Sequence, residues 1–148
     1  MTGNEVEKQV NVFVYGSLMF HQVWSSVVTG QYLTTNAVLE GHRRHRVEGE
    51  TYPAAMPSAV HQIEGIVYKN VSPADVKRLD LFEGPEYHRE AADVLIETGE
   101  KLPAQFYRWL LPEKAIDDDW SVEYFRNVGL ELFLNSYVAN ARKAGRAK

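Results

Sequence analysis

Two short segments of this 148-residue chain carry residues whose types and spacing suit chemistry. The first is Tyr15-Gly16-Ser17-Leu18, directly after the apolar run Val10-Asn11-Val12-Phe13-Val14. A glycine straight after a buried strand lets the backbone turn sharply. Successive N–H groups in such a turn can converge on an anion, here a small carboxylate or phosphate. The same spacing suits an ordinary strand-ending bend, because single glycines are common punctuation. The segment lacks the Gly-Lys-Ser/Thr ending of a Walker loop. Ser17 also lacks the flanking glycine pair of a nucleophile elbow, which argues against a covalent role for it.

The second segment is Leu79-Asp80-Leu81-Phe82-Glu83-Gly84-Pro85. It puts Glu83 in the last turn of a predicted helix, facing the negative end of the helix dipole and following an aromatic residue. Both effects push a carboxyl pKa upward, toward the range useful for moving protons near neutral pH. A solvated helix-end glutamate fits the same residues. A third segment, Gly41-His42-Arg43-Arg44-His45-Arg46, could bind phosphates or RNA. On a strand its side chains alternate faces, and no aromatic residues interleave for base stacking, so a solvated strand with one or two paired arginines is favoured. The histidines, at 21, 42, 45, 61 and 88, form no His-x-x-x-His or His-Glu-x-x-His pattern, and no metal site is expected. Tyr52-Pro53-Ala54 reads as a rigid wall, useful in a pocket or as plain packing. Trp109, Trp120, Tyr124, Phe125 and Phe133 read as core.

The elements that must position these residues follow from periodicity. Residues 10–15 are β-branched and aromatic and stop at Gly16, which predicts a strand. Phe20, Val23, Trp24, Val27 and Val28 have helical spacing, closed by Thr29-Gly30. Residues 31–56 read as two or three strands broken by Gly41 and Gly49. Residues 64–70 read as another, with Gly65 allowing close approach of a neighbouring backbone. Ser72-Pro73-Ala74-Asp75 opens a helix, with Ser72 as cap, Pro73 at the first helical position and Asp75 completing a capping box. Val76, Leu79 and Phe82 are its buried stripe, and Gly84-Pro85 ends it. Residues 87–97 and 102–111 form a predicted strand pair joined by a turn at 98–101. Asp117-Asp118-Asp119 precedes a long predicted helix over 122–144, with acids at its positive end and basic residues at its negative end. Mostly strands, three helices and no regular βαβ alternation predict a closed or nearly closed sheet with helices packed outside.

Composition bounds the rest. Hydrophobic residues at 45% and charged residues at 24% are ordinary for one globular domain spanning 1–148. A net charge of −4 argues against a general nucleic-acid binder. The lack of cysteine removes disulfides, a thiolate nucleophile and thiolate metal sites together. Residues 1–8 are polar and acidic, unlike a secretory signal, and no apolar run approaches the roughly 20 residues needed to span a bilayer. A cytoplasmic protein is expected.

Taken in order, Val12-Phe13-Val14-Tyr15-Gly16-Ser17-Leu18-Met19, Tyr52-Pro53-Ala54, Gly65-Ile66-Val67-Tyr68 and residues 79–89, ending Phe82-Glu83-Gly84-Pro85-Glu86-Tyr87-His88-Arg89, resemble the γ-glutamylcyclotransferase-like family. The similarity points to its avirulence-induced branch of bacteria and plants. The resemblance implies an α+β fold, a small mixed β-barrel with helices outside. It implies a cavity floored by Tyr15, Gly16, Ser17 and Leu18, whose backbone would hold a substrate carboxylate, with Tyr52 and Pro53 as a wall and Tyr87 as a substrate-binding aromatic beside the glutamate. It implies Glu83 as the acid/base residue. The implied reaction is cyclisation of a γ-glutamyl amide to 5-oxoproline with release of the amine. No cofactor or metal is implied, and the expected partner is the small γ-glutamyl substrate rather than nucleic acid or membrane. A non-catalytic binder of a small anion or a protein partner on the same fold is the alternative. Weak RNA binding through Arg43, Arg44 and Arg46 is a third.

Overall fold

The computed structural model describes residues 8–138. Its first strand, β1 (Val10–Val14), is covered on both sides. Val12 and Val14 pack under the helices with Tyr68, Leu79 and Phe82. Phe13 and Tyr15 point the other way, into a cluster with Leu39, Ile63, Val67 and Phe106. Two-sided burial is why this strand reads as a near-continuous apolar run rather than an alternating one.

Five strands close around that second cluster. They are β1, β2 (Thr34–Val47), β3 (Pro53–Val71), β4 (Tyr87–Ile96) and β5 (Lys101–Trp109). Their order is β3-β1-β5-β4-β2, and β2 pairs back onto β3 to complete a mixed barrel. Strand β1 runs parallel to β5, with Val12 opposite Gln105, and the other barrel pairings are antiparallel. Closure leaves these strands no free edge, a common solution for small sheets. A sixth strand, β6 (Ala115–Asp119), extends β2 beyond the barrel.

The helices are α1 (His21–Val27), α2 (Pro73–Glu83) and a C-terminal helix over 122–138. Phe125 and Phe133 are buried from the C-terminal helix, and the two rings lie 5.7 Å apart. Its turns are wide, π-type, at Phe125–Gly129 and Phe133–Val138. The expected continuation of this helix to residue 144, with its basic end, lies outside the described residues. So does most of the polar stretch at 1–8. Among the described residues no helix is long and apolar enough to cross a membrane.

Four sequence expectations need correction. Tyr124, read as core, is exposed on the C-terminal helix. Gly41 does not break a strand. It sits inside β2 at φ 76°, where the register with β3 shifts between Glu40 and His42. A bulge and a break both recruit glycine, so sequence alone does not separate them. The separate strand at 64–70 is the end of the 19-residue β3. Asp117, Asp118 and Asp119 do not serve a helix dipole. They lie on β6, where Asp117 and Asp119 pair with Arg43 at 2.5 and 2.8 Å and Asp118 pairs with Arg46 at 3.2 Å. Ser121 caps the helix instead, accepting from the Tyr124 N–H at 3.1 Å.

The opening of α2 also differs in detail. Ser72 caps it, accepting from the Asp75 N–H at 3.2 Å, but Asp75 does not reach back to Ser72. The Ser72 N–H instead donates to the Tyr32 hydroxyl at 3.2 Å. The buried Asp75 carboxylate accepts from Thr29 N–H (3.0 Å), Gly30 N–H (2.9 Å), Tyr32 Oη (2.6 Å) and Arg78 Nη1 (2.8 Å). Although burial opposes it, these bonds hold the Asp75 carboxyl below its ordinary pKa. The group therefore clips the start of α2 to the segment after α1.

Gly65 is a position where only glycine fits. A Cβ there would lie 2.3 Å from the Val14 carbonyl oxygen and 2.7 Å from the Phe13 ring. Gly65→Ala is expected to lower the unfolding free energy by about 2 kcal/mol or more, read by urea denaturation.

Candidate active site

The end of β1 delivers Tyr15 and then a single turn of 3₁₀-helix, Ser17–Met19. Met19 N–H bonds to the Gly16 carbonyl and Phe20 N–H to the Ser17 carbonyl, both at 3.0 Å. The first N–H groups of a helical turn have no partner within it. Among the described residues the Ser17 and Leu18 amides donate to nothing. Gly16 takes φ −131° and ψ −130°, neither helical nor extended. Space requires glycine there, because a Cβ would sit 2.6 Å from Pro53 Cγ.

Pro53 opens β3 and faces the turn. Its carbonyl accepts from the Tyr87 hydroxyl at 2.7 Å. Tyr87 packs edge-on to Trp109 at 5.0 Å, and Tyr52 lies 6.3 Å from Tyr87. This aromatic group forms one wall. Helix α2 supplies the opposite one. Gly84 takes φ 82° and its N–H closes the helix on the Asp80 carbonyl at 3.0 Å, so the chain leaves immediately after Glu83. Between these elements lies a recess of about 330 Å³, its open mouth included, lined by Tyr15, Gly16, Ser17, Leu18, Tyr52, Pro53, Glu83 and Tyr87. These are the eight residues singled out in the sequence, brought around one space.

Phe13, Val14 and Tyr107 also line the recess and were not singled out. Tyr107 is buried and joins two sides of it. Its carbonyl accepts from the Tyr15 hydroxyl at 2.6 Å, and its own hydroxyl donates to Asp80 at 2.7 Å. Asp80 also receives both arms of the Arg89 guanidinium, at 2.9 and 3.1 Å, and Arg89 reaches on to Gln105. Local sequence held one cue: Asp80 precedes Glu83 by a single helical turn, so the two carboxylates share a face.

Glu83 differs from its neighbours in having no such partners. Among the described residues no hydrogen bond ends on its carboxylate. Its pKa is raised from 4.5 to about 8, first by burial and second by the charge of Asp80. The expected direction holds, with the Asp80 charge as the second cause. Burial also raises the Tyr15 and Tyr107 hydroxyls well above their ordinary values, with the Glu83 charge contributing, which keeps both neutral.

The basic stretch divides as expected. Arg43 and Arg46 pair with the aspartates of β6. Arg44 turns toward the back of the turn, where its Nη1 donates to the Tyr15 carbonyl at 2.8 Å and the Glu64 carbonyl at 3.2 Å. His42 packs edge-on against Phe106 at 5.0 Å, and His45 bonds the Ile116 carbonyl at 2.9 Å.

This closed-barrel fold has known counterparts. The family described as Gamma-glutamyl cyclotransferase, AIG2-like, matches residues 12–124. Protein AIG2 C of Arabidopsis thaliana is 30% identical over 139 residues, covering 93% of this chain and 84% of that protein. The solution structure of another Arabidopsis thaliana protein superposes with a TM-score of 0.68 at 27% identity, covering 92% and 93% of the two chains. A solved gamma-glutamyl cyclotransferase shares the fold, with a TM-score of 0.64 at 16% identity over 90% of this chain and 86% of its own. The chain belongs to the AIG2-like gamma-glutamyl cyclotransferase family.

The Glu83 carboxyl gives a stability signature. Folded, it keeps its proton up to about pH 8, whereas unfolded it loses it near 4.5. Between those values the unfolded chain binds fewer protons, so this group makes stability fall as pH rises. Glu83→Gln removes that fall. The variant is expected to be more stable than wild type at pH 8 by at least about 1 kcal/mol, and no more stable at pH 4, by urea titration at both values.

Proposed function

We propose that the chain cyclises γ-glutamyl amides to 5-oxoproline, with Glu83 moving the protons and the 15–18 turn holding the substrate's α-carboxylate. The observation that carries this reading is a carboxyl of raised pKa, free of hydrogen-bond partners among the described residues, across a recess from unbonded backbone amides. Family membership supports the same reaction class.

The chemistry needs little from the protein beyond position. The α-nitrogen bonds to the γ-carbonyl carbon, closing a five-membered ring, and the bond from that carbon to the departing nitrogen breaks. Going from ammonium to lactam, the α-nitrogen gives up two protons. The departing nitrogen gains two on leaving as an ammonium. No water is consumed and no electrons change hands. Well-oriented intramolecular attack of this kind gains roughly 7–11 kcal/mol from positioning. A carboxyl poised near neutral pH can take a proton from the first nitrogen and hand it to the second. The amides of the turn, fixed before substrate arrives, suit a carboxylate at one end of the γ-glutamyl group, and one of them can assist the carbonyl oxygen. The Tyr52–Tyr87 wall leaves the remainder of the recess mostly apolar.

Two outcomes are expected. A panel of γ-glutamyl amino acids, γ-glutamyl amines, glutathione and γ-glutamyl-ε-lysine should yield 5-oxoproline from at least one member. Glu83→Gln should lose turnover by about 100-fold or more while still binding that substrate. Binding without product from any of them would favour the non-catalytic reading. The pH profile offers a separate check. The base form of Glu83 is needed for the first proton transfer, so kcat/KM should rise with pH and bend near 8. In Asp80→Asn the Arg89 charge is no longer offset, and that bend should move to lower pH.

A further inference from the structure

We propose that Arg44 is a positioning residue for the binding turn: by holding the Tyr15 carbonyl from behind, it turns the Gly16 N–H into the recess as a donor. The inference rests on the reading of the recess as the substrate site.

The geometry is that of one peptide plane. In a trans peptide the carbonyl and the following N–H point in opposite directions. Arg44 Nη1 fixes the Tyr15 carbonyl at 2.8 Å. Arg44 does not line the recess. It lines a separate groove, with Met19, Glu64, Gly65 and Val122, that shares no residue with the recess. The carbonyl is therefore drawn away from the recess and the N–H is left facing it. The next carbonyl, that of Gly16, is already held by Met19 N–H. Both carbonyls that could compete for the space are thus turned out of it, leaving the amides of Gly16, Ser17 and Leu18. A cation on the carbonyl oxygen also polarises the peptide and makes its N–H a stronger donor.

Arg44 is itself held for this task. Its guanidinium lies over the Trp120 ring, 5.2 Å from the centroid. Trp120 is fixed by its indole N–H on the Thr51 carbonyl at 2.7 Å and by its backbone N–H on the Arg44 carbonyl at 3.1 Å. Both hydrogen bonds of the Arg44 guanidinium among the described residues end on main-chain carbonyls, where Arg43 and Arg46 go to aspartates. A half-buried cation directed at backbone is a means of setting peptide orientation.

The test compares wild type, Arg44→Met and Arg44→Lys, each ¹⁵N-labelled and checked by thermal melt, during titration with 5-oxoproline. In wild type the Gly16 amide resonance should move on binding. In Arg44→Met affinity should fall about ten-fold, the scale of one hydrogen bond to a charged group, with the Gly16 response lost. Arg44→Lys keeps a donor and a charge and should recover part of both. If Arg44→Met does not fold, Arg44→Lys decides, since unchanged affinity and an unchanged Gly16 response in either folded variant would overturn the proposal. Turnover of a γ-glutamyl substrate separates this from the parent reading. Wild-type turnover that Arg44→Met retains in full sinks the role of Arg44 and leaves the activity standing. Binding that depends on Arg44, without turnover, sinks the activity and leaves the role. No binding and no turnover in wild type sinks both.

Discussion

The structure depends on β1 being buried from two directions. Five residues separate the barrel interior, reached by Phe13, from the helical layer, reached by Val12 and Val14. Such a strand has no freedom to slide, because a one-residue shift would exchange every side chain between two differently shaped cores. Gly65 tightens this further by letting the neighbouring strand approach the Val14 carbonyl. The turn at its end inherits that fixity. Gly16 is pressed against Pro53, whose carbonyl is tied to Tyr87. The position of the recess is thus set by core packing, before any polar group is considered.

Helix α2 carries two contrasting carboxylates at its ends. Asp75, at the start, is buried and accepts from four donor residues, which hold its charge. Glu83, at the end, faces the recess with the charge of Asp80 beside it and no compensating bonds among the described residues. The same residue class is an anchor in one case and a poised acid in the other. Burial acts on both, and the number of donors decides the outcome. Anchoring the helix at Asp75 also fixes where Glu83 stands, at the last helical position.

Features carried by a few adjacent residues were legible in the sequence. A glycine after an apolar run, a carboxylate just before Gly-Pro and a proline beside an aromatic each state their local geometry, and these brought out Tyr15 to Leu18, Glu83 and Pro53. Partners distant in sequence were not legible. Tyr107 meets Tyr15 across 92 positions, and nothing near Tyr107 distinguishes it from a plain strand aromatic. The aspartates at 117–119 suited a helix start, because the two arginines they serve lie more than 70 residues earlier. The basic run at 41–46 could be divided by strand alternation, but alternation gives a face and not a partner.

The parallel pairing of β1 with β5 has a consequence for how the chain folds. Val12 must wait for Gln105, and the Tyr15 hydroxyl must wait for the Tyr107 carbonyl. Ordered non-locally in this way, barrel closure carries a large loop-closure entropy before any contact offsets it, and slow folding follows. The antiparallel pairs β2–β3 and β4–β5 are local by comparison and can form first. During synthesis β1 and β3 are both made before β5, so β1 keeps one edge unpaired until β5 follows. The segment that shapes the recess is therefore made before one of the two strands that fix it.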